Sequence, residues 1–297
     1  MKHSSSRNFY AWSLRTVEVA IAILAWCSAM PAYCGSSQSL ALAAREESRA
    51  WPANGVPILV YHRFGPVVAD EMTVTTSVFD SQLKFLRAYD YTVIPLKTLL
   101  DYMNGTGGPL PARPVVITAD DGHISVFTEM YPRMKREHYP ATLFIYPSAI
   151  SNASYAMTWQ QLATLKESGV FSIQSHTFWH PNFHTEKRRL APADYQRFVA
   201  DQLTKSKQTL DRRLGISVNL LAWPFGIYDD ELIAAARQAG YTAAFSIDRR
   251  NVFSEDNSMA LPRYIVTNHD TGAAFARLLS GQAADRSRKP AVNHHAD

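Results

Sequence analysis

From Val56 onwards, short apolar segments alternate with amphipathic segments, and this alternation constrains the fold more than any other feature of the chain. The apolar segments are typical of buried strands, and the segments between them carry apolar residues at helical spacing. Strands that alternate with helices form βαβ units, in which the strands run parallel. About seven or eight such units in roughly 220 residues predict a single irregular (β/α)7-type barrel with outer helices, and a doubly wound sheet is the alternative.

The ends of these segments can be predicted from the sequence. The predicted strands are 56–62, 91–96, 114–120, 141–146, 171–176, 218–226, 242–247 and 262–268. The predicted helices are 78–89, 96–103, 126–137, 158–169, 191–215 and 229–240. Thr158 is a plausible N-cap, and Gly169 and Gly215 are plausible helix stops.

The charge pattern argues against a nucleic-acid partner. The formal net charge is +4 at pH 7, and half of it comes from the residues before Gly35. A nucleic-acid-binding domain carries a basic face or stripe, which the rest of the chain lacks. We therefore expect no nucleic-acid binding.

The N-terminus has the pattern of a targeting segment. Basic residues precede a mostly apolar run over 19–34, which is long for a signal core and short for a membrane span. We predict a secretory signal over 1–35 and a periplasmic or extracellular location, with an uncleaved anchor as the alternative. The stretch 24–27 is close to a lipoprotein cleavage box, but Trp26 stands where that box needs a small residue. Membrane contact would then come only through an uncleaved or lipidated N-terminus.

The segments that flank the barrel are predicted to be irregular. Residues 36–55 are rich in Ser, Ala, Arg and Glu and are predicted to form a linker. The barrel domain is predicted to span 56–280, and 281–297 to form a disordered tail. Both cysteines, Cys27 and Cys34, lie in the targeting segment, so the mature chain is expected to have no internal disulfide.

Polar residues with metal-binding chemistry fall where predicted strands end. In a βα barrel the active site lies at the carboxyl ends of the strands. The residues at these ends are Asp120, Asp121, His62 and His176, and His180 follows four residues after His176. Each alone is typical of a turn, a cap or a core histidine, but their joint placement indicates a site.

Two histidines and one carboxylate are a common ligand set for Zn²⁺ or a similar cation. The second carboxylate of the adjacent pair is then free to accept a proton from water. The cation relieves the repulsion between the two acids.

Three motifs carry a resemblance to a known family. "TADDG" (118–122), "HTFWH" (176–180) and "WPFG" (223–226) are similar to the motifs of the polysaccharide deacetylases, the NodB-homology family. Ala119 stands in place of the family's Phe, and Ala222 in place of its Arg. The first strand, "VPILVYHRFG" (56–65), resembles the subgroup that deacetylates poly-β-1,6-N-acetylglucosamine. That subgroup is circularly permuted, so the family's final L-x-x-H motif comes first, here at 59–62.

The resemblance implies a role for each residue of the set. Asp120 would be the general base, and Asp121, His176 and His180 would bind a divalent metal ion: Zn, Ni, Co or Fe. His62 would be the general acid.

The resemblance also suggests supporting residues. Arg263 is a candidate to replace the missing Arg beside the base, and His269 is a rival for the general acid. A backbone N–H near Tyr146 would stabilise the oxyanion, and His123 has no assigned role. The predicted substrate-binding residues are Trp223, Pro224, Phe225 and Tyr146.

The resemblance covers roughly residues 55–268 and implies a metal-dependent N-deacetylase of an extracellular hexosamine polymer. It favours poly-β-1,6-N-acetyl-D-glucosamine, in biofilm matrix synthesis or export, with export machinery as a possible partner. The alternatives are a deacetylase of chitin oligomers, peptidoglycan or acetylxylan, and a catalytically inactive carbohydrate-binding barrel. A glycoside hydrolase is disfavoured, because its two carboxylates face each other across a cleft.

Overall fold

A computed structural model describes residues 51–282. The predicted signal segment, most of the linker and nearly all of the tail lie outside the described residues. The domain bounds therefore stay predictions. Within residues 51–282, no helix is both long and apolar enough to cross a membrane.

Ten strands and eight α-helices follow one another along the described chain. The strands are β1 (Ile58–Tyr61), β2 (Arg63–Gly65), β3 (Thr73–Thr75), β4 (Thr92–Val93), β5 (Pro114–Asp120), β6 (Ala141–Ile145), β7 (Phe171–Ser175), β8 (Leu220–Ala222), β9 (Ala243–Phe245) and β10 (Tyr264–Ile265). The helices are α1 (Thr76–Ala88), α2 (Leu96–Met103), α3 (Tyr131–Glu137), α4 (Trp159–Glu167), α5 (Phe183–Arg189), α6 (Pro192–Leu214), α7 (Asp230–Gln238) and α8 (Gly272–Leu279). A π-helical turn at Val126–Met130 runs directly into α3.

Parallel pairing links the strands in the order β10-β1-β5-β6-β7-β8-β9, and β4 pairs with the start of β5. The segment 261–265 connects the two ends of this order. Leu261 accepts a hydrogen bond from Ser246 N and donates one to Ala244 O, both of 2.8 Å, while β10 pairs with β1. Hydrogen bonding thus continues around a ring of seven strands, and the predicted (β/α)7-type barrel is confirmed.

Alternate side chains of the strands enter two separate hydrophobic clusters. Leu59 and Ile117 belong to a large cluster that also contains the inner faces of most helices. Ile58 and Val116 belong to a smaller cluster that includes Leu96 and Leu99 of α2. Because successive strand residues point to opposite faces, the smaller cluster fills the inside of the curled sheet. Helix α2 therefore covers the inner face at the end where the strands begin.

The six predicted helices are present, and their end signals act as expected. Thr158 and Gln161 form a reciprocal capping box at the start of α4. Gly215 ends α6 in the left-handed conformation, with a φ of 62°.

Some elements differ from the sequence prediction. The predicted strand 91–96 is reduced to β4, because Pro95 starts helix α2. Helices α5 and α8 and the strand pair β2–β3 were not predicted. Helix α5 buries only Phe183 and Glu186, so its sequence lacks an apolar stripe.

Candidate active site

The parallel register brings the predicted site residues to one edge of the barrel. Tyr61 pairs with Ala119, and Asp120 pairs with Phe144. His62 therefore follows β1 at the level of Asp120, and His176 follows β7 at the same edge. Residues far apart in the sequence are neighbours here because the strands are short and in step.

A buried arginine donates hydrogen bonds to both carboxylate oxygens of Asp120. Arg263 donates from Nη1 to Asp120 Oδ1 and from Nη2 to Oδ2, each at 2.8 Å. Its Nε donates to Ser246 O at 3.1 Å, and both Arg263 and Asp120 are buried. The guanidinium also lies over the Phe144 ring, 5.2 Å from the centroid. The arginine therefore holds the carboxylate in one orientation.

Asp121, His176 and His180 form a cluster that fits a divalent cation. One ligand atom from each lies within 4.8 Å of the others. Asp121 Oδ1 is 3.7 Å from His176 Nε2 and 3.8 Å from His180 Nε2. Two ligand atoms that each lie about 2.0–2.2 Å from one ion can be separated by distances of this size.

His176 is oriented as a metal ligand by a backbone carbonyl. Its Nδ1 lies 2.8 Å from Ala222 O, so Nδ1 carries the proton and donates it. The Nε2 lone pair then faces Asp120 and Asp121. Burial lowers the pKa of His176 to about 3, so the ring stays neutral and its lone pair stays free.

Several residues at this edge adopt left-handed backbone conformations. Asp121, Thr177, His180 and Phe225 account for four of the seven non-glycine residues with positive φ in residues 51–282. Such conformations cost about 1–3 kcal/mol each and persist where surrounding contacts enforce them. Gly122 has a φ of 79°, and a Cβ there would lie 3.1 Å from the side chains of Ile145 and Ile150. A side chain at position 122 would therefore be strained by the backbone conformation and crowded by the two isoleucines.

The two adjacent carboxylates have opposite pKa shifts. Burial raises the pKa of Asp120, but the charge and hydrogen bonds of Arg263, together with the neighbouring histidines, outweigh it, so that the pKa lies below its ordinary value. Burial raises the pKa of Asp121 above its ordinary value, and the neighbouring Asp120 adds to that rise. Asp121 therefore gains most from a cation, while Asp120 already has one.

The two candidate general acids lie in different surroundings. His62 is half-buried and close enough to Asp120 and Asp121 for its charge to act on both. Its Nδ1 is buried and has no hydrogen-bond partner among the described residues. His269 is exposed in the loop before α8. Of the two, His62 is the one whose charge acts on the carboxylate pair.

Two of the four predicted substrate-binding residues face the core instead. Trp223 is 0% exposed, and its indole N–H donates to Met259 O at 2.8 Å. Its ring packs against Phe183 of α5, so no ring face is open to a sugar and the prediction for Trp223 is wrong. Pro224 is also buried. The sequence could not separate these two from Phe225, because Phe225 adopts a left-handed conformation, with a φ of 56°, in a short helical turn at Pro224–Gly226.

Phe225 and Tyr146 line the cluster. Phe225 is 56% exposed, and its ring centroid lies 4.6 Å from that of His180. The ring centroid of Tyr146 lies 5.4 Å from that of His180, and its hydroxyl hydrogen-bonds to the Tyr155 hydroxyl at 2.6 Å. Tyr155 was not predicted, because it lies in a loop with no strand or motif to mark it.

Comparison with known proteins bears directly on this arrangement. The family model described as polysaccharide deacetylase matches residues 107–244, which include both carboxylates and both clustered histidines.

Residues 107–244 form a polysaccharide deacetylase domain.

Relatives with established names agree with this assignment. A poly-beta-1,6-N-acetyl-D-glucosamine N-deacetylase of Staphylococcus aureus (strain MRSA252) is 26% identical over 201 residues, which cover 66% of this chain and 68% of the relative. A protein of the same name from Staphylococcus epidermidis is 27% identical over 203 residues, with the same coverage. The motif-based recognition is therefore confirmed, and the chain is an N-deacetylase of the hydrolase class.

Solved structures share the fold of this polysaccharide deacetylase. IcaB from Ammonifex degensii has a TM-score of 0.66 at 22% identity and covers 76% of this chain and 97% of its own. The Streptococcus pyogenes deacetylase PplD has a TM-score of 0.67 at 20% identity and covers 76% of this chain and 98% of its own. At these identities the likeness shows the common fold.

In this polysaccharide deacetylase, Ala222 stands where the family motif has an arginine. Arg263 lies beside Asp120 instead. Ala222 instead supplies the carbonyl that holds His176. Arg63 is a further site residue that sequence reasoning missed. Its charge acts on both Asp121 and Tyr146, and its only sequence signal is its place directly after His62.

Proposed function

We propose that this protein is a metal-dependent N-deacetylase of exported poly-β-1,6-N-acetyl-D-glucosamine that acts in biofilm matrix synthesis or export. The observation that carries the proposal is that the two adjacent carboxylates have different partners. Asp120 is paired with Arg263, and Asp121 is grouped with His176 and His180. The choice of polymer follows the two staphylococcal relatives.

The cluster offers the donors that suit Zn²⁺, Ni²⁺, Co²⁺ or Fe²⁺. Bound there, the cation would supply Lewis acidity toward the acetyl carbonyl and lower the pKa of water. Asp121, His176 and His180 would hold it, because each presents a ligand atom to a common point.

Asp120 is suited to accept a proton from the attacking water. The charge of Arg263 keeps its pKa low, so the carboxylate is ionised at neutral pH. Its Oδ2 lies 3.7 Å from His176 Nε2 and therefore borders the cluster. The fork of Arg263 prevents the carboxylate from turning away, which is a positioning function.

His62 is suited to donate a proton to the departing amine. It stands beside the carboxylate pair, and its Nδ1 has no partner among the described residues. An amide nitrogen is a poor leaving group until it is protonated, so a positioned acid is needed. The backbone N–H of Tyr146 follows β6 at the same edge and would stabilise the oxyanion.

Acetate release tests the proposal. The purified protein is stripped with a chelator, and acetate is measured on β-1,6-linked N-acetylglucosamine oligomers and on chitin oligomers, with and without Zn²⁺, Co²⁺ or Ni²⁺. We expect metal-dependent release that is faster on the β-1,6 oligomers. Faster release from chitin would overturn the choice of polymer. Full activity in the chelated protein would overturn the metal dependence.

The biological setting needs its own experiment. The predicted signal over 1–35 implies that the enzyme meets its polymer outside the cytoplasm. Fractionation of cells that express the full chain should find it in the periplasmic or extracellular fraction. Recovery in the cytoplasm alone would contradict export.

A further inference from the structure

His123 has no part in the proposed chemistry, yet it stands at the edge of the site. It lies two residues after Asp121, directly after the tight turn at Gly122, and is half-buried. Its backbone pairs with Ala156, and Ile124 N donates to Tyr155 O at 2.7 Å. Backbone hydrogen bonds therefore hold the loop that carries Tyr155 against the residues around His123.

Hydrogen bonds from Ser125 fix which ring nitrogen of His123 carries a proton. Ser125 N donates to His123 Nδ1 at 3.2 Å, and Ser125 Oγ lies 2.8 Å from the same nitrogen. Ser125 Oγ already accepts from Phe64 N at 2.8 Å, which leaves its own hydrogen free to point at Nδ1. Nδ1 is thus an acceptor, and the neutral ring carries its proton on Nε2.

The Nε2–H of His123 has no acceptor among the described residues, and it belongs to an open wall of the site. The His123 ring stacks on Tyr155, with centroids 6.2 Å apart and planes 12° apart. Tyr155 is 44% exposed and reaches the Tyr146 hydroxyl, and Tyr146 packs on His180. A continuous row of rings therefore leads from the metal cluster to His123.

A second donor without a partner lies on the same side. The Nε of Arg63 is buried and has no hydrogen-bond acceptor among the described residues, while Nη1 is held by Asp70 at 2.5 Å. Arg63 is close enough to His123 for its charge to act on the ring. Unsatisfied buried donors such as Arg63 Nε are uncommon in proteins, and the half-buried His123 adds a second donor without an acceptor. A ligand oxygen would suit these two donors.

We propose that His123 is a substrate-positioning residue, whose Nε2–H donates a hydrogen bond to an acceptor oxygen of the N-acetylated sugar chain. Ser125 is its orienting partner, and Tyr155 supports the ring from one face. This inference rests on the proposed function for the class of ligand. The geometry on which the inference rests is a fixed donor at the end of a row of rings. This geometry does not depend on the chemistry at Asp120.

Two substitutions of His123 test the Nε2–H donor separately from the contact that the ring makes with Ser125. His123→Asn keeps a side-chain oxygen able to accept from Ser125 N, but it has nothing at the position of Nε2. His123→Gln places an amide N–H near the position of Nε2. The matched control is His138→Asn, which changes an exposed histidine at the end of α3, before β6 begins and so at the other end of the barrel. His138 has a φ of 55°, which asparagine tolerates.

The readouts are KM and kcat for acetate release from β-1,6-linked N-acetylglucosamine oligomers, and the Kd for the same oligomers in chelated protein. We expect His123→Asn to raise KM and Kd about threefold to tenfold, with kcat within about twofold, as for loss of one neutral hydrogen bond. His123→Gln should recover most of the loss, and His138→Asn should match the wild type.

The outcomes distinguish this inference from the proposed function. Unchanged KM and Kd in His123→Asn, with an active wild type, overturn the inference alone. If the wild type binds the oligomer but releases no acetate under any metal, and His123→Asn binds it more weakly, the inference stands and the proposed function falls. If the wild type neither binds nor deacetylates the oligomer, both are wrong.

Discussion

Arg263 donates hydrogen bonds of 2.8 Å to both oxygens of Asp120, although the two residues are 143 positions apart in the chain. The pair is completely enclosed, with the guanidinium 0% and the carboxylate 2% exposed. Arg263 reaches the carboxylate because the segment 261–265 joins β9 to β1 and so closes the barrel next to β5. The element that completes the fold therefore also orients the candidate base.

Replacing Arg263 should affect stability and turnover together. Arg263→Met leaves Asp120 buried without a counter-charge, and removal of one partner from a buried pair costs about 3–5 kcal/mol. Arg263→Lys keeps the charge but loses the two-pronged contact, so we expect a smaller loss of stability and still a clear loss of kcat. Urea unfolding and acetate release measure the two effects. If Arg263→Lys has wild-type kcat, the orientation of Asp120 by the fork is not needed.

The Asp120–Arg263 pair also predicts how stability depends on pH. The folded pKa of Asp120 lies below its ordinary value, because Arg263 and the neighbouring histidines together outweigh burial. The pair therefore stabilises the fold above the unfolded pKa of about 3.9, and this contribution is lost as the pH falls through the folded pKa. In Arg263→Met the largest opposing charge is removed, so the pKa of Asp120 should rise.

The difference in unfolding free energy between wild type and Arg263→Met should then be greatest near neutral pH and should shrink as the pH falls through about 4 and below it. Urea titrations of chelated protein across this range measure it. A difference that is constant with pH would show that the loss comes from packing and not from charge.

Trp223 and Phe225 are neighbours in one motif, but we expect opposite phenotypes. Trp223 is a core residue, so Trp223→Ala should lower the unfolding free energy by about 3–5 kcal/mol. Phe225 is exposed beside His180, so Phe225→Ala should change stability by less than about 1 kcal/mol and raise KM for the oligomer. Thermal unfolding and kinetics on both variants test this. A normal KM in Phe225→Ala would remove that ring from the substrate site.

His62 and His269 give a direct test of the general acid. Loss of a positioned proton donor costs about 10²–10⁴-fold in rate, and we expect this for His62→Ala with metal content unchanged. His269 is exposed, and its charge is not among those that shift the pKa of Asp120 or Asp121, so His269→Ala should keep wild-type turnover. Metal analysis and acetate release on the two purified variants are sufficient. A crippled His269→Ala beside an active His62→Ala would reverse the assignment.

The barrel and the edge that carries the site could be predicted from the sequence, because both follow from local periodicity. The strand ending at Asp120 and the strand ending at His176 are marked by apolar residues and by the polar residues that follow them. The direction of Trp223 could not be predicted, since it depends on the helix α5 that covers it, and α5 has too few apolar residues to be recognised. Tyr155 lies in a loop whose path is fixed by tertiary contacts such as the one with Ile124. Arg63 lies in the short strand β2, whose pairing with β3 has no clear signal in the sequence.

The central claim is that the adjacent carboxylates divide the work, and one paired measurement tests it most directly. Asp120→Asn and Asp121→Ala are purified under the same conditions, and bound metal and acetate release are measured on the same samples. We expect Asp120→Asn to bind metal like the wild type while its kcat falls by about 10²–10⁴-fold. Asp121→Ala should lose the metal and, with it, turnover. An active Asp120→Asn, or an Asp121→Ala that retains its metal, would contradict the account.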